Sequence, residues 1–246
     1  MVRMDATRAL LLHGVGASRM TWWRATQDLT DLGWEVTAVD MPGHGARPAG
    51  SARTMPDLAA DVLQQVGDLQ VDVVVGHSLG AIVGLAAAAL RPDLARAVLL
   101  EDPPGLGGAV NPRDVARDVA KRARRARRRP RAETAALLDE HPRWSLVDAR
   151  NSTEASRAVD TDLVNAALQP DGWDLCRLVA DCPVPVHLLA AGGPQSALID
   201  PDRTALLAEL ADRATVVDSD HCIHRARPGL WLTTVLGVAA TVAVPR

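Results

Sequence analysis

Val73-Val74-Val75-Gly76-His77-Ser78-Leu79-Gly80-Ala81-Ile82 decides how the rest of the chain is read. A β-branched apolar run ends in Gly-His-Ser-Leu-Gly, and an Ala-rich stretch of helical composition follows through Ala89. A buried strand, a sharp turn and a helix in direct succession are the setting in which G-x-S-x-G carries chemistry. Gly76 and Gly80 have no Cβ, so neighbouring backbone can crowd a turn whose central residue is strained, which leaves the Ser78 hydroxyl at its tip. The first turn of the helix aims free N–H groups at the same place. Ser78 is therefore the candidate nucleophile. Standing alone, the same five residues would be only a tight connection, so the reading depends on their surroundings.

Upstream, Arg8 to Leu12 reads as a short strand ending in His13-Gly14-Val15-Gly16, and Thr21 as the N-cap of a helix reaching Leu32. Trp34 to Val39 is the next strand, closed by Asp40-Met41-Pro42-Gly43-His44-Gly45, where Pro and Gly enforce a turn. Thr54 caps a helix through Val66, and Val71 to Val75 feeds the serine turn. Downstream, Ala95 to Leu100 is a strand ending in Glu101-Asp102-Pro103-Pro104. Strands then cease until Val184 to Ala190, which is followed by a helix near Pro201 to Ala211, a strand Ala214 to Val217 and a last helix from about Pro228. Strand alternating with helix predicts a parallel sheet covered on both faces, with working residues at the carboxyl ends of its strands. His13, Asp40, Ser78, Asp102 and His221 all fall at that end.

A chain of 246 residues without a composition break reads as one domain carrying an insertion. Residues 1–103 and 182–246 are expected to form the core, and the polar, helical stretch 104–181 a lid over the serine. A hydrophobic fraction of 48% with net charge -3 excludes a disordered chain and a nucleic-acid-binding one. Cys176, Cys182 and Cys222 are an odd number without a C-x-x-C pair, which supports neither a disulfide framework nor a zinc site. The opening residues have too short an apolar run for a cleavable leader, and a cytoplasmic location is expected. Leu230 to Val244 is interrupted by Thr and Gly and falls short of the roughly 20 residues a bilayer needs, so it is expected to pack on the core and no membrane partner is expected. Six Trp stand beside no Phe and no Tyr, so no tyrosine hydroxyl can serve in the chemistry. Trp144 and Trp173 lie in the insertion as pocket lining or as lid core. In Lys121 to Arg131 eight of eleven residues are Lys or Arg. That run is either a solvated helix face balanced by nearby acids or a docking patch for an anionic partner such as an acyl carrier protein or a coenzyme A thioester. It has no interleaved aromatics, so nucleic acid is not expected.

Four signals occur in order: His13-Gly14-Val15-Gly16, Asp40-x-Pro-Gly-His-Gly45, Gly76-His-Ser-Leu-Gly80 and His221-Cys-Ile-His-Arg-Ala-Arg-Pro228. With them the chain resembles the alpha/beta-hydrolase superfamily over nearly its whole length outside the insertion. The resemblance implies an α/β fold with a mostly parallel sheet of about six strands, helices on both faces and a helical lid, the family's leading hairpin being absent. A serine needs a base within reach and that base an orienting acid. His221 resembles the family's catalytic histidine, although Asp220 stands where Gly is usual. His224, one helical turn on, faces the same pocket or is a satisfied buried histidine. His13 and His44 are read as turn-stabilising, with His13 and His77 possible pocket residues, His77 being the variable position of the serine turn; His141 and His187 lack context. After the strand Val184 to Ala190, where the family usually has its acid, the chain reads Gly192-Gly193-Pro194-Gln195-Ser196. Asp102, after the preceding strand, is the first candidate, as in fluoroacetate dehalogenases and zearalenone lactonases; Glu101 and Asp200 are the alternatives. The resemblance assigns the oxyanion donors to the backbone N–H groups of Val15 and Leu79 and makes Asp40 a loop brace. A serine at this turn argues against dehalogenase and epoxide hydrolase chemistry. It leaves hydrolysis of a small-molecule ester or lactone through an acyl-serine. Rival readings are a thioesterase or acyltransferase on carrier-bound acyl groups, and a lyase, cyclase or ligand receptor reusing the fold. Without a ligand cluster or a phosphate loop, no cofactor and no metal are expected.

Overall fold

The computed structural model describes residues 6–104, 112–168, 174–192 and 201–243. Six strands, β1 (Arg8–Leu12), β2 (Glu35–Val39), β3 (Val71–His77), β4 (Ala95–Glu101), β5 (Val186–Ala191) and β6 (Arg213–Val217), form one sheet in the order β2-β1-β3-β4-β5-β6. Every pairing is parallel. Leu12 lies opposite Gly76, and His77 opposite Glu101. The carboxyl ends of β1, β3 and β4 are thus level, so the turn after Leu12, Ser78 and Asp102 leave the sheet along one edge.

The strands are apolar on both faces because helices cover both. Leu10, Leu12, Val74, Val98, Leu100 and Leu188 pack with α2 (Met55–Val66), α3 (Leu79–Leu90) and α8 (Leu175–Ala180). The alternate residues Ala9, Leu11, Val73, Val75, Leu99 and Leu189 pack with α1 (Trp23–Asp31) and α11 (Pro228–Val242), as the two-residue period of a strand requires. The Thr54 hydroxyl accepts the Asp57 N–H and the Asp57 carboxylate accepts the Thr54 N–H, so α2 starts where the sequence reading puts it. The start of the first helix differs. Arg19–Trp22 form a 3-10 turn in which the Thr21 hydroxyl donates to the Ser18 carbonyl at 2.6 Å, so it is spent there and α1 begins at Trp23 without a side-chain cap.

Between β4 and β5 lie α4 (Pro112–Arg128), α5 (Pro130–Glu140), α6 (Leu146–Ala158), α7 (Thr161–Ala167) and then α8. Helices α4 to α7 pack on one another, through Ala116, Ala123, Val159 and Val164 on one side and through Leu137, Trp144 and Ala149 on the other. Helix α8 lies inside the stretch expected as a lid, yet it packs on α3 and on α9 (Pro201–Leu210) and puts Leu175 and Val179 into the main core. Part of the basic run binds the insertion together. Arg122 donates to both oxygens of Glu140 at 2.6 and 2.7 Å, Arg125 pairs with Glu133, and Arg127 donates to the carbonyls of Arg157 and Val159. Among the described residues no helix is long and apolar enough to cross a membrane.

Three histidines are buried in this frame, and two of them brace it through ring hydrogen bonds. His13 donates from Nδ1 to the Gly14 carbonyl at 2.8 Å and accepts the Met41 N–H at Nε2 at 3.1 Å, tying the loop after β1 to the loop after β2. His44 donates from Nδ1 to the Pro42 carbonyl. His187 on β5 is buried with neither ring nitrogen hydrogen-bonded among the described residues. Burial lowers all three from the usual 6.5, His13 to about 3. Below about pH 6.5 the unfolded chain therefore binds more protons than the folded one, so stability is whole above that pH and falls as pH drops, by up to about 1.4 kcal/mol per pH unit for each histidine. The urea midpoint is expected to be lower at about pH 5 than at about pH 7.5. His187→Leu, which removes two unbonded buried nitrogens, is expected to raise the neutral midpoint by the equivalent of about 1 kcal/mol and to flatten the pH dependence; an unchanged or lower midpoint contradicts this account of His187.

Candidate active site

Ser78 stands between β3 and α3 with φ 52° and ψ −118°. Ser78 and Asp102, at φ 41°, are the non-glycine residues with positive φ among those described. The reason for the strained serine is steric. A Cβ on Gly76 would run into the Gly80 carbonyl and the Ala81 backbone, and one on Gly80 into the carbonyls of Leu12 and His13. Helix α3 therefore rests on the end of β1 at backbone contact, and the chain reverses within a turn with no slack. The Ser78 N–H donates to the Glu101 carbonyl and its carbonyl accepts the Ala81 N–H, both at 2.9 Å, while its hydroxyl caps nothing. A side chain on Gly14 would meet Ser78 Cβ at 3.2 Å, so the turn after β1 lies against the serine. The N–H groups of Val15 and Leu79 have no acceptor among the described residues.

Asp102 follows β4 directly. Its N–H donates to the Leu189 carbonyl at 2.8 Å, its Oδ1 accepts the Ala191 N–H at 2.9 Å, and its Oδ2 lies 2.6 Å from His221 Nδ1. Burial raises the carboxyl's proton affinity, and the bonds from His221 and Ala191 act against that rise. Glu101, the residue before it, goes elsewhere. Its carboxylate accepts the His224 N–H at 2.9 Å, His224 Nδ1 at 2.7 Å and Trp231 Nε1 at 2.9 Å. Asp102, just past the end of β4 and at φ 41°, turns to His221, whereas the Glu101 carboxylate is taken up by His224 and Trp231 and makes no bond to His221 among the described residues. His224 accordingly takes the second of its two readings, a satisfied buried histidine, with burial holding it well below the ordinary value. The two acid–imidazole pairs differ in access: the His221 side chain is 23% exposed and that of His224 2%.

His77 matters more than a variable position suggests. It is buried, its Nε2 donates to the His221 carbonyl at 3.0 Å, and its ring lies 4.5 Å from that of His221 and 5.2 Å from that of His224. No hydrogen bond joins the Ser78 hydroxyl to His221 among the described residues; the two are linked through His77, which precedes Ser78 in the chain and holds His221 by its ring. Nothing in the sequence singled out His77 for this task, because its partner is a backbone carbonyl 144 residues away. Trp144 belongs to the packed base of the insertion, with Leu137, Ala149, Cys222 and Ala226. His141, which had no context in the sequence, stacks on Trp144 and bonds Asp220. Asp40 accepts the N–H groups of Arg19 and Ala46, the brace expected of it. Trp173 and Asp200 lie outside the described residues. Among the described residues no three His, Cys, Asp or Glu side chains are grouped to hold a metal ion.

The arrangement places a strained serine, unpaired N–H groups and an acid-oriented imidazole at one edge of the sheet. Residues 9–233 match the model of the alpha/beta hydrolase family. Over 99 residues the chain is 37% identical to lipase LipV of Mycobacterium tuberculosis, covering 39% of this chain and 37% of that protein. Over 97 residues it is 37% identical to the pimeloyl-[acyl-carrier protein] methyl ester esterase of Neisseria meningitidis serogroup A, covering 39% of this chain and 30% of that one. These matches span about a third of the curated relatives' length. Among solved structures, an N-formylmaleamic acid deformylase from Pseudomonas putida S16 superposes with a TM-score of 0.77 at 23% identity, over 94% of this chain and 92% of that one. Strand order, strained serine and a match running through almost all of the sheet together make this chain a member of the alpha/beta hydrolase family.

Proposed function

We propose that the protein hydrolyses a carboxylic ester or lactone through an acyl-serine intermediate, with Ser78 as nucleophile, His221 as general base and acid, and Asp102 orienting the histidine. The reading is carried by the 2.6 Å contact between Asp102 Oδ2 and His221 Nδ1, which joins residues 119 apart in sequence at the edge where Ser78 emerges. A carboxylate on Nδ1 fixes the tautomer that leaves Nε2 free to take a proton and stabilises the imidazolium that follows. Ser78 Oγ attacks the carbonyl carbon while Nε2 takes the hydroxyl proton, and the Val15 and Leu79 N–H groups receive the oxyanion. Nε2 then gives that proton to the departing alkoxide, leaving the acyl-serine. Water, losing a proton to Nε2, attacks the acyl carbon, and Ser78 recovers its proton as the carboxylic acid leaves. Partial matches to a lipase and a methyl ester esterase support ester chemistry.

A second reading, carrier-bound acyl groups as substrates, is favoured by the outer side of α4, where Lys121, Arg124 and Arg128 are exposed and make no ion pair among the described residues. Arg125 is committed to Glu133 and is not available for docking.

Ser78→Ala and His221→Ala are each expected to cut turnover of a small p-nitrophenyl ester by on the order of 10⁴-fold or more, and Asp102→Asn by on the order of 10³- to 10⁴-fold, with melting curves preserved. Near-wild-type turnover in either of the first two defeats the hydrolase mechanism, as does failure of a fluorophosphonate probe to label Ser78. For the second reading, Arg124→Glu combined with Arg128→Glu is expected to raise KM for an acyl-carrier-protein thioester in a salt-dependent way without altering p-nitrophenyl ester hydrolysis; an unchanged KM removes it.

A further inference from the structure

The loop bearing His221 is gripped from two sides. On the core side Asp102 holds its ring and His77 its carbonyl. On the other side the contacts come from the inserted helices and fall on both flanks of the histidine. Asp220, which stands where the family resemblance leads one to expect Gly, accepts Trp144 Nε1 at 3.2 Å and His141 Nδ1 at 3.1 Å on Oδ2, and the Cys222 N–H at 3.0 Å on Oδ1. His141 and Trp144, on the link between α5 and α6, are themselves stacked, with ring centroids 4.0 Å apart at 9°. Beyond His221, in the four-residue helix α10 (Ile223–Ala226), Arg225 is only 6% exposed. It donates from Nη1 to Ser152 Oγ on α6 at 2.7 Å and from Nε to His224 Nε2 at 3.1 Å, and its guanidinium lies 4.4 Å over the Trp144 ring.

Burying a carboxylate and a guanidinium costs desolvation free energy that small apolar residues at those positions would avoid. A segment that merely covered the serine would have no use for them. A histidine on a short loop, followed by a single helical turn, has little of its own to fix it, and proton transfer tolerates little misplacement. We propose that the inserted helices position the base as well as cover the site, and that Asp220, Trp144 and Arg225 are positioning residues for His221. The proposal rests on the reading of His221 as the base of Ser78.

The test is the second-order rate of Ser78 labelling by a fluorophosphonate probe, together with kcat and KM for a small p-nitrophenyl ester. It compares wild type, His221→Ala, Asp220→Gly, Trp144→Phe, Ser152→Ala and the Asp220→Gly, Trp144→Phe double variant, at a temperature where each is folded by circular dichroism. Trp144→Phe deletes one N–H donor and keeps an aromatic ring against His141 and Arg225. It is expected to slow labelling and kcat by about tenfold with little change in KM, and Asp220→Gly by about 10- to 100-fold. Because the two act through one bond, the double variant is expected to be no slower than Asp220→Gly to within about twofold. A lowered melting temperature with wild-type labelling in Trp144→Phe and Ser152→Ala, or fully additive losses in the double variant, overturns the positioning role. Trp144→Phe decides the matter if Asp220→Gly does not fold. Wild-type labelling of His221→Ala overturns the base assignment itself, a result distinct from slow labelling of His221→Ala beside fast labelling of Trp144→Phe.

Discussion

Helix α3 lies against the end of β1 with no side chain between them, since a Cβ on Gly80 would occupy the space of the Leu12 and His13 carbonyls. That contact leaves the five residues from Gly76 to Gly80 no room for a relaxed turn, and the residue at its apex takes φ 52°. The same contact brings the turn after β1 against Ser78, where a Cβ on Gly14 would lie 3.2 Å from Ser78 Cβ. Level strand ends do the rest. With His77 opposite Glu101, the residue leaving β4 emerges next to the residue leaving β3.

The end of β4 then separates two adjacent carboxylates, the chain turning at Asp102 with φ 41°. Asp102 leaves β4 toward the loop that carries His221, whereas Glu101 turns to the α11 side, where His224 and Trp231 supply its donors. Two acid–imidazole pairs, whose imidazoles lie 4.5 and 5.2 Å from the His77 ring between centroids, are built from one Glu-Asp dipeptide and one His-x-x-His segment. Burial has opposite effects on the two kinds of member, raising the proton affinity of both acids and lowering that of His224 and His77. The inner pair is closed off and braces the floor. The outer pair keeps an imidazole within reach of solvent and is the one proposed for proton transfer.

The insertion is bound to this floor by polar contacts as well as by packing. Trp23 donates to Asp148 at the start of α6, Asn151 donates to the Met20 carbonyl, and Arg225 reaches Ser152. Its arginines are divided by geometry between two tasks. Those turned toward α5 and the end of α6 find Glu133, Glu140 or backbone carbonyls, while those one step round α4 face outward. A charge run that looks uniform in sequence is thus part scaffold, through Arg122, Arg125 and Arg127, and part surface.

Fold class, the strands, the Thr54 cap, the serine turn and the segments that bring Asp102 to His221 were legible in the chain alone. Each is written in local terms: a β-branched run, glycines at fixed spacing around Ser78, a histidine after the last strand. The rest depended on partners that the local pattern does not name. The Thr21 hydroxyl is claimed by Ser18, α8 joins the main core through α3 and α9, and His77, Glu101, Asp220 and Arg225 take partners from 73 to 144 residues away. Sequence order records which side chains are available and how the backbone turns beneath them. Which buried nitrogen meets which buried oxygen is settled only when sheet register and helix packing bring distant segments within about 3 Å, the range over which a hydrogen bond acts.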